Sequence, residues 1–457
     1  MINRLAIFGA TGDLTARYLL PAIASLRAAG DIDDAFQLIA VGRETWSGAE
    51  YARWAAAQLD RHAPQQSDSI RAFVVSTADY RKADIADPSS VAEIIAGDDP
   101  VACYLALPPA VFPAAVSALH DAGLPAGSKI VLEKPFGEDL ASAIELNKLL
   151  TEAVDEQAIF RVDHFLAMTT VQNLLGTRLA NRVFEPIWNS SHIAEIDIVW
   201  DESLALEGRA GYYDGVGALK DMLQNHLLQL LCLVAMEPPI TLGEHDLRER
   251  KVDVLRSVTP LTDHAIVRAT RRGQYTAGKI GDRVIRAYVD EDGVDPANRT
   301  ETFAEIELRL DNWRWSGTVF RLRTGKALLR DRKEVAVRFR HVPHLPFAHG
   351  GEAAPNLLRF GLDPESVSLD LTRVGPRART LSPVSLSAKL EPAEQPAYSQ
   401  VLQAVFTGDI RLAIRGDEAE ESWRVVAPVL DAWAKDDVPL ELYPAGSAGP
   451  ARPAQAS

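Results

Sequence analysis

Between a short apolar run and a helix-like stretch lies Gly9-Ala10-Thr11-Gly12-Asp13-Leu14. A turn in that position suits a dinucleotide pyrophosphate, because glycines let the backbone approach phosphate oxygens and a helix N-terminus presents partial positive charge. The spacing is G-x-x-G and departs from G-x-G-x-x-G, so a plain tight turn is the alternative. Arg43 ends the second apolar run, where an arginine accepts a 2′-phosphate and an acid binds a ribose hydroxyl. Glu44 follows at once, which leaves NADP, NAD and a solvated charge pair all open. His226 has Met222, Leu230 and Val234 at i−4, i+4 and i+8, the spacing of one apolar helical face. Periodicity alone makes it a hydrogen-bonded core histidine more readily than a general base. Asp163-His164 reads equally well as a capping carboxylate beside a surface imidazole, and Lys134, before Pro135, as an exposed turn lysine.

Holding such residues requires strands and helices in alternation. Residues 5–8, 37–43, 101–107 and 129–135 are apolar runs with strand character, and 72–76 is a further strand in this reading. Helical stretches fall at 46–59, 89–95 and 111–122, so the spacing predicts a parallel sheet wound on both faces. Beyond residue 166 the rhythm changes. A strand is expected at 194–200, a long helix at 217–236, and alternating strands at 303–310, 319–324 and 335–339. That pattern gives a second domain of α+β character. The Pro/Gly-rich stretch 444–457 reads as a disordered tail.

The 457 residues make room for two to three domains at about 150 residues each. Hydrophobic residues make up 47% of the chain, enough to bury a full core. Against 48 basic residues stand 63 acidic ones, a net charge of −15, which argues against a duplex nucleic-acid partner. Cys103 and Cys232 form no C-x-x-C pair, so neither a disulfide framework nor a metal is expected, and a reducing cytoplasm is the natural location. The longest apolar stretch, 227–236, is far short of the roughly 20 residues that span a bilayer, so no membrane association is expected. Gly9, Gly12 and Asp13 interrupt the first apolar run, unlike a signal peptide.

Taken jointly, the motifs resemble the glucose-6-phosphate dehydrogenase family. The matching pieces are GATGDL at 9–14, EKPFG at 133–137, RVDHFL at 161–166, EGRAGYYD at 207–214, DMLQNHLLQLL at 221–231, RGQY at 272–275 and RTGKAL at 323–328. They keep one order over nearly the whole chain. The resemblance implies an α/β Rossmann-type dinucleotide-binding domain over 1–165. An α+β domain with a large, mainly antiparallel sheet would follow over 166–443. It also implies that His226 is the general base for the C1 hydroxyl of a pyranose, that Asp163 orients it, and that Lys134 reaches the reacting oxygen and the nicotinamide. Pro135 would be cis. Glu202, Asp221 and Lys326 match residues that hold sugar hydroxyls, and His164 one that meets the sugar phosphate. Gly9, Thr11, Gly12, Asp13, Leu14, Arg43 and Lys134 would hold the coenzyme, NADP or NAD, with NADP favoured because Arg43 stands eight residues before the aromatic Tyr51. The product would be a 1,5-lactone, and the assembly a homo-oligomer, dimer or tetramer.

Departures fall on the phosphate end. The family's D-H-Y-L-G-K-E is Asp163-His164-Phe165-Leu166-Ala167-Met168-Thr169 here, and a lysine expected four residues after Leu14 is Tyr18. Losing two charge-assisted hydrogen bonds costs about 3–6 kcal/mol, or roughly 10² to 10⁴ in affinity for a phosphate. The leading expectation is therefore an NAD(P)-dependent hexose 1-dehydrogenase acting on a sugar without a 6-phosphate, with Phe165 and Met168 lining the pocket. The alternative is a glucose-6-phosphate 1-dehydrogenase whose phosphate is held by other cations, such as Arg330 or Arg332. A third reading, a non-catalytic regulatory homologue, is opposed by retention of Asp163, His226 and Lys134.

Overall fold

The computed structural model describes residues 2–206, 208–346, 353–375, 380–391 and 393–451. Glu207 of the EGRAGYYD motif and tail residues 452–457 lie outside these. The chain divides into two units: Met1–Met168 with Ile240–Glu249 and Ala393–Glu420, and Thr169–Pro239 with Arg250–Pro392 and Glu421–Ser457. Contiguous boundaries at 165 and 443 do not describe this division. The helix Ala397–Thr407 returns to the first unit, where Val401, Leu402, Val405 and Phe406 join its core and Phe406 meets Phe36 edge-on. Local periodicity carries no trace of such a long-range return.

The first unit is built on a seven-stranded sheet in the order Ala413–Ile414, Ile159–Val162, Lys129–Glu133, Val101–Leu105, Arg4–Phe8, Gln37–Gly42, Ala78–Lys82. All neighbours are parallel except Ala413–Ile414, which runs antiparallel to Ile159–Val162. Central strands such as Val101–Leu105 are buried throughout, as a sheet covered by helices on both faces demands. The stretch 72–76, expected as a strand, belongs instead to the helix Asp68–Ser76, and the third strand is Ala78–Lys82. Ser67 caps that helix by accepting from the Ile70 amide. A short apolar run has no period long enough to separate the two states, and here the cap decides.

The second unit carries a nine-stranded sheet in the order Leu381–Lys389, Glu365–Val374, Leu357–Leu362, Arg332–Phe339, Ile193–Asp201, Val319–Gly325, Phe303–Leu308, Thr270–Thr276, Leu440–Pro444. It is mainly antiparallel; Val319–Gly325 with Ile193–Asp201 and Leu440–Pro444 with Thr270–Thr276 are the parallel pairs. Against Val319–Gly325 and Phe303–Leu308 lies the helical segment that was expected at 217–236. Its turns are π-helical over Leu219–Leu227 and α-helical over Leu228–Ala235, where every residue is buried. Residues 444–451, expected as part of a disordered tail, are seated on this sheet. Leu329 N–H donates to the Ser447 carbonyl at 2.8 Å, and Arg323 and Arg271 donate to the carbonyls of Ala448 and Ala451, each at 2.8 Å. Small residues there fit close to the strands, as at Gly446 beside the Lys279 carbonyl, where composition alone read disorder. No helix of the described residues is long and apolar enough to cross a membrane.

Candidate active site

In the first unit the direction of strand succession reverses between Arg4–Phe8 and Val101–Leu105, the place where doubly wound sheets bind ligands. Gly9 leaves the first of these strands with φ +91°, and a Cβ there would stand 2.2 Å from the Ala106 carbonyl oxygen, so only glycine fits. The Gly9 and Ala10 amides both donate to the Val41 carbonyl at 2.9 Å, and Gly12 donates to Gly9 at 3.0 Å. Helical geometry begins at Asp13, and a first helical turn leaves amides without backbone partners. Thr11, Gly12 and Leu14 are half-buried, while the exposed Asp13 pairs with Arg17 at 2.8 Å, which offsets its charge at the helix start. Arg43 is exposed at the end of Gln37–Gly42. A glycine turn running into a helix N-terminus, with Arg43 at the end of the next strand, fits a nicotinamide dinucleotide.

Farther along the same sheet, Lys134 follows the strand Lys129–Glu133 through a cis bond to Pro135. Burial pushes the Glu133 carboxyl up to about 7, against the opposing pull of hydrogen bonds from Tyr104 and Tyr398 and the nearby Lys134 charge. Asp163 is fully buried and caps the next turn by accepting from the Phe165 amide at 2.9 Å. His164 stacks on Tyr398 with ring centres 5.5 Å apart, and Tyr398 also meets Tyr18 at 5.1 Å. Phe165 is buried edge-on to His164, and Met168 is half-buried. Sequence reasoning missed Tyr398 altogether, because its helix lies far along the chain from the motif it completes.

In the second unit Ile193–Asp201 and Val319–Gly325 end side by side. Glu202 and Lys326 follow these ends, and their side chains form an ion pair. Asp221 and His226 share the π-helical segment, with His226 only 2% exposed. The Asn225 side chain accepts from the His226 amide at 2.6 Å and donates to the Lys220 carbonyl at 2.9 Å, bracing the wide turn. Glu301, another residue the sequence did not single out, accepts from the Leu219 amide at 3.0 Å where the segment begins. It keeps some exposed surface, yet its carboxyl end is enclosed, and burial pushes it up to about 7. Arg330 and Arg332 line a cleft of about 530 Å³ together with Lys333, Arg338 and Arg359. Arg332 pairs there with Glu334 at 2.8 Å.

Both units of the chain find counterparts among known proteins. The model of the glucose-6-phosphate dehydrogenase NAD binding domain matches residues 6–173, and that of the glucose-6-phosphate dehydrogenase C-terminal domain matches 175–456. The glucose-6-phosphate 1-dehydrogenase of Mycolicibacterium smegmatis is 41% identical, over 97% of this chain and 93% of the relative. That of Zymomonas mobilis is 36% identical over 98% and 96%. The crystal structure of glucose-6-phosphate 1-dehydrogenase from Mycobacterium avium superposes with a TM-score of 0.87 at 33% identity, covering 98% of this chain and 95% of that one. A glucose-6-phosphate dehydrogenase in complex with glucose 6-phosphate superposes at 0.88 with 28% identity, covering 99% and 96%. With both halves matched and relatives alike from end to end, the chain belongs to the glucose-6-phosphate dehydrogenase family.

Proposed function

We propose that this chain oxidises C1 of glucose 6-phosphate to the 1,5-lactone with a nicotinamide coenzyme. Identity of 35–41% to relatives carrying the name glucose-6-phosphate 1-dehydrogenase, across nearly the full length of each, is the observation that carries this reading. It reverses the order expected from the sequence, which put a sugar without phosphate first. His226 takes the proton of the C1 hydroxyl, and Asp163 orients the imidazole and stabilises its charged form. Lys134 holds the reacting oxygen. Glu202, Asp221 and Lys326 hold ring hydroxyls, and His164 meets the phosphate. The coenzyme, when bound, supplies the hydride acceptor. The Gly9–Leu14 turn and Arg43 hold it, with NADP favoured. A homo-oligomer is the proposed assembly, and light scattering of the purified protein checks it.

One observation favours a second reading. Phe165 is buried and Tyr18 packs on Tyr398, so two of the positions where a phosphate's hydroxyl and ammonium partners would stand carry aromatic rings. Burying an unpaired dianion is expensive, and a neutral C6 hydroxyl tolerates the same surroundings. Coenzyme reduction assayed in parallel with glucose 6-phosphate and with free aldoses tests both readings. Turnover confined to the phosphorylated sugar supports the first, and turnover confined to free sugars supports the second.

A further inference from the structure

The strand Gln37–Gly42 runs parallel to Ala78–Lys82, with Gly42 opposite Lys82. Residues 43–46 leave the sheet at this rim. The largely buried Tyr80 donates its hydroxyl to the Glu44 carbonyl oxygen at 2.9 Å and lies 3.5 Å from Glu44 Oε2. A Cβ at position 42 would fall 2.7 Å from that same Oε2 and 2.7 Å from the Tyr80 hydroxyl. The missing side chain at Gly42 and the phenol of Tyr80 therefore form a recess, and the Glu44 carboxylate occupies it. Tyr51 stacks on the Tyr80 ring at 5.1 Å and Trp46 flanks it at 6.1 Å, so the phenol is held in place. Burial and the Glu44 charge both push the Tyr80 phenol up, in keeping with this closeness. On the same rim Lys82 Nζ donates to Thr45 Oγ1 at 2.9 Å, and both Lys82 and Arg43 are exposed.

An acid that follows the second strand ordinarily accepts ribose hydroxyls and repels a 2′-phosphate, and so selects NAD. Here that acid, although exposed, has its carboxylate laid back against Gly42 and the Tyr80 hydroxyl. We propose that Tyr80 sets coenzyme choice by holding the Glu44 carboxylate in the recess, so that Arg43 and Lys82 present their charge to a ribose 2′-phosphate and the chain selects the phosphorylated dinucleotide. The proposal rests on the reading of the chain as a nicotinamide-dependent dehydrogenase. Tyr80 is a positioning residue in this scheme, and Lys82 is a second reader of the phosphate beside Arg43.

Binding of NADPH and NADH to the full chain, followed by nicotinamide fluorescence without any sugar, separates the terms. The parent binds NADPH more tightly than NADH. Tyr80→Phe keeps the stacked ring but frees the carboxylate, and lowers the NADPH-to-NADH affinity ratio roughly tenfold, the scale of one carboxylate–phosphate repulsion near a protein surface. Adding Glu44→Gln to that variant restores the ratio, because the freed group no longer carries charge. Lys82→Ala weakens NADPH and leaves NADH unchanged. Should Tyr80→Phe fold poorly, Gly42→Ala fills the recess from the other side and must lower the same ratio. Equal weakening of both coenzymes by Tyr80→Phe, or a ratio that Glu44→Gln does not restore, overturns the proposal. A parent that binds neither coenzyme overturns the underlying dehydrogenase reading, and the proposal with it.

Discussion

Replacing His226 by asparagine keeps a polar side chain of similar size on the π-helical turn and removes the proton acceptor. Turnover should fall by about 10² or more, the usual worth of a positioned acid–base group, while the coenzyme dissociation constant stays put. Near-parental turnover in steady-state assays would contradict the assignment of the base. The residue also shows where sequence periodicity stops. Apolar neighbours at i−4, i+4 and i+8 gave the core reading, and 2% exposure agrees with that spacing, yet burial alone does not tell a base from a structural histidine. The motif around it carried the chemical reading. At the phosphate end, the double change Phe165→Tyr with Met168→Lys restores a hydroxyl and an ammonium. It should raise kcat/KM for glucose 6-phosphate relative to glucose roughly tenfold or more, the scale of one or two charge-assisted hydrogen bonds. A ratio that does not move would place the phosphate elsewhere.

The wide turns over Leu219–Leu227 belong to the scale of the element, and nothing in a 3.6-residue apolar period announces them. π turns recur at functional sites because they redirect side chains that a regular helix would stack. Asn225 braces this one from within, through the Lys220 carbonyl five residues back, while Glu301 braces it from a distant part of the chain, a contact that leaves no local signature. The helix Asp68–Ser76 went unread for a related reason: its cap residue is plain in the sequence, but its apolar stretch was too short to outweigh a β-branched pair. Glu301 shares with Glu133, at the end of its own strand in the first unit, a property that can be measured. Each is an acid raised from 4.5 to about 7 by burial. Between those two values the unfolded chain releases a proton that the folded chain keeps, so stability falls as pH rises through that window and levels off above it. Glu301→Gln and Glu133→Gln remove the titration. The Tm of each variant relative to the parent should therefore climb from pH ~4.5 to ~7, by an amount equivalent to a few kcal/mol at most. A flat difference across that range would mean the carboxyl is ionised in the folded state.

At the scale of the molecule, alternation of apolar runs with helical stretches made the doubly wound sheet legible, and period-two strands made the second sheet legible. The return of Ala393–Glu420 to the first unit was not, since it depends on contacts between distant segments. Nor was the seating of residues 444–451. Ending the chain after Val438 should remove the edge strand Leu440–Pro444 and the buried Tyr443, whose hydroxyl donates to the Lys326 carbonyl at 2.8 Å. Loss of that ring alone is worth about 3 kcal/mol or more, so thermal unfolding of the truncated chain should shift well below the parent. An unchanged Tm would make the segment dispensable. Family membership leaves one central claim to test, the identity of the sugar. The direct test is kcat/KM for glucose 6-phosphate and for free glucose, measured side by side with the same coenzyme. A value for glucose 6-phosphate that exceeds the value for glucose is the predicted result, and a free hexose turned over in preference to its 6-phosphate would contradict it.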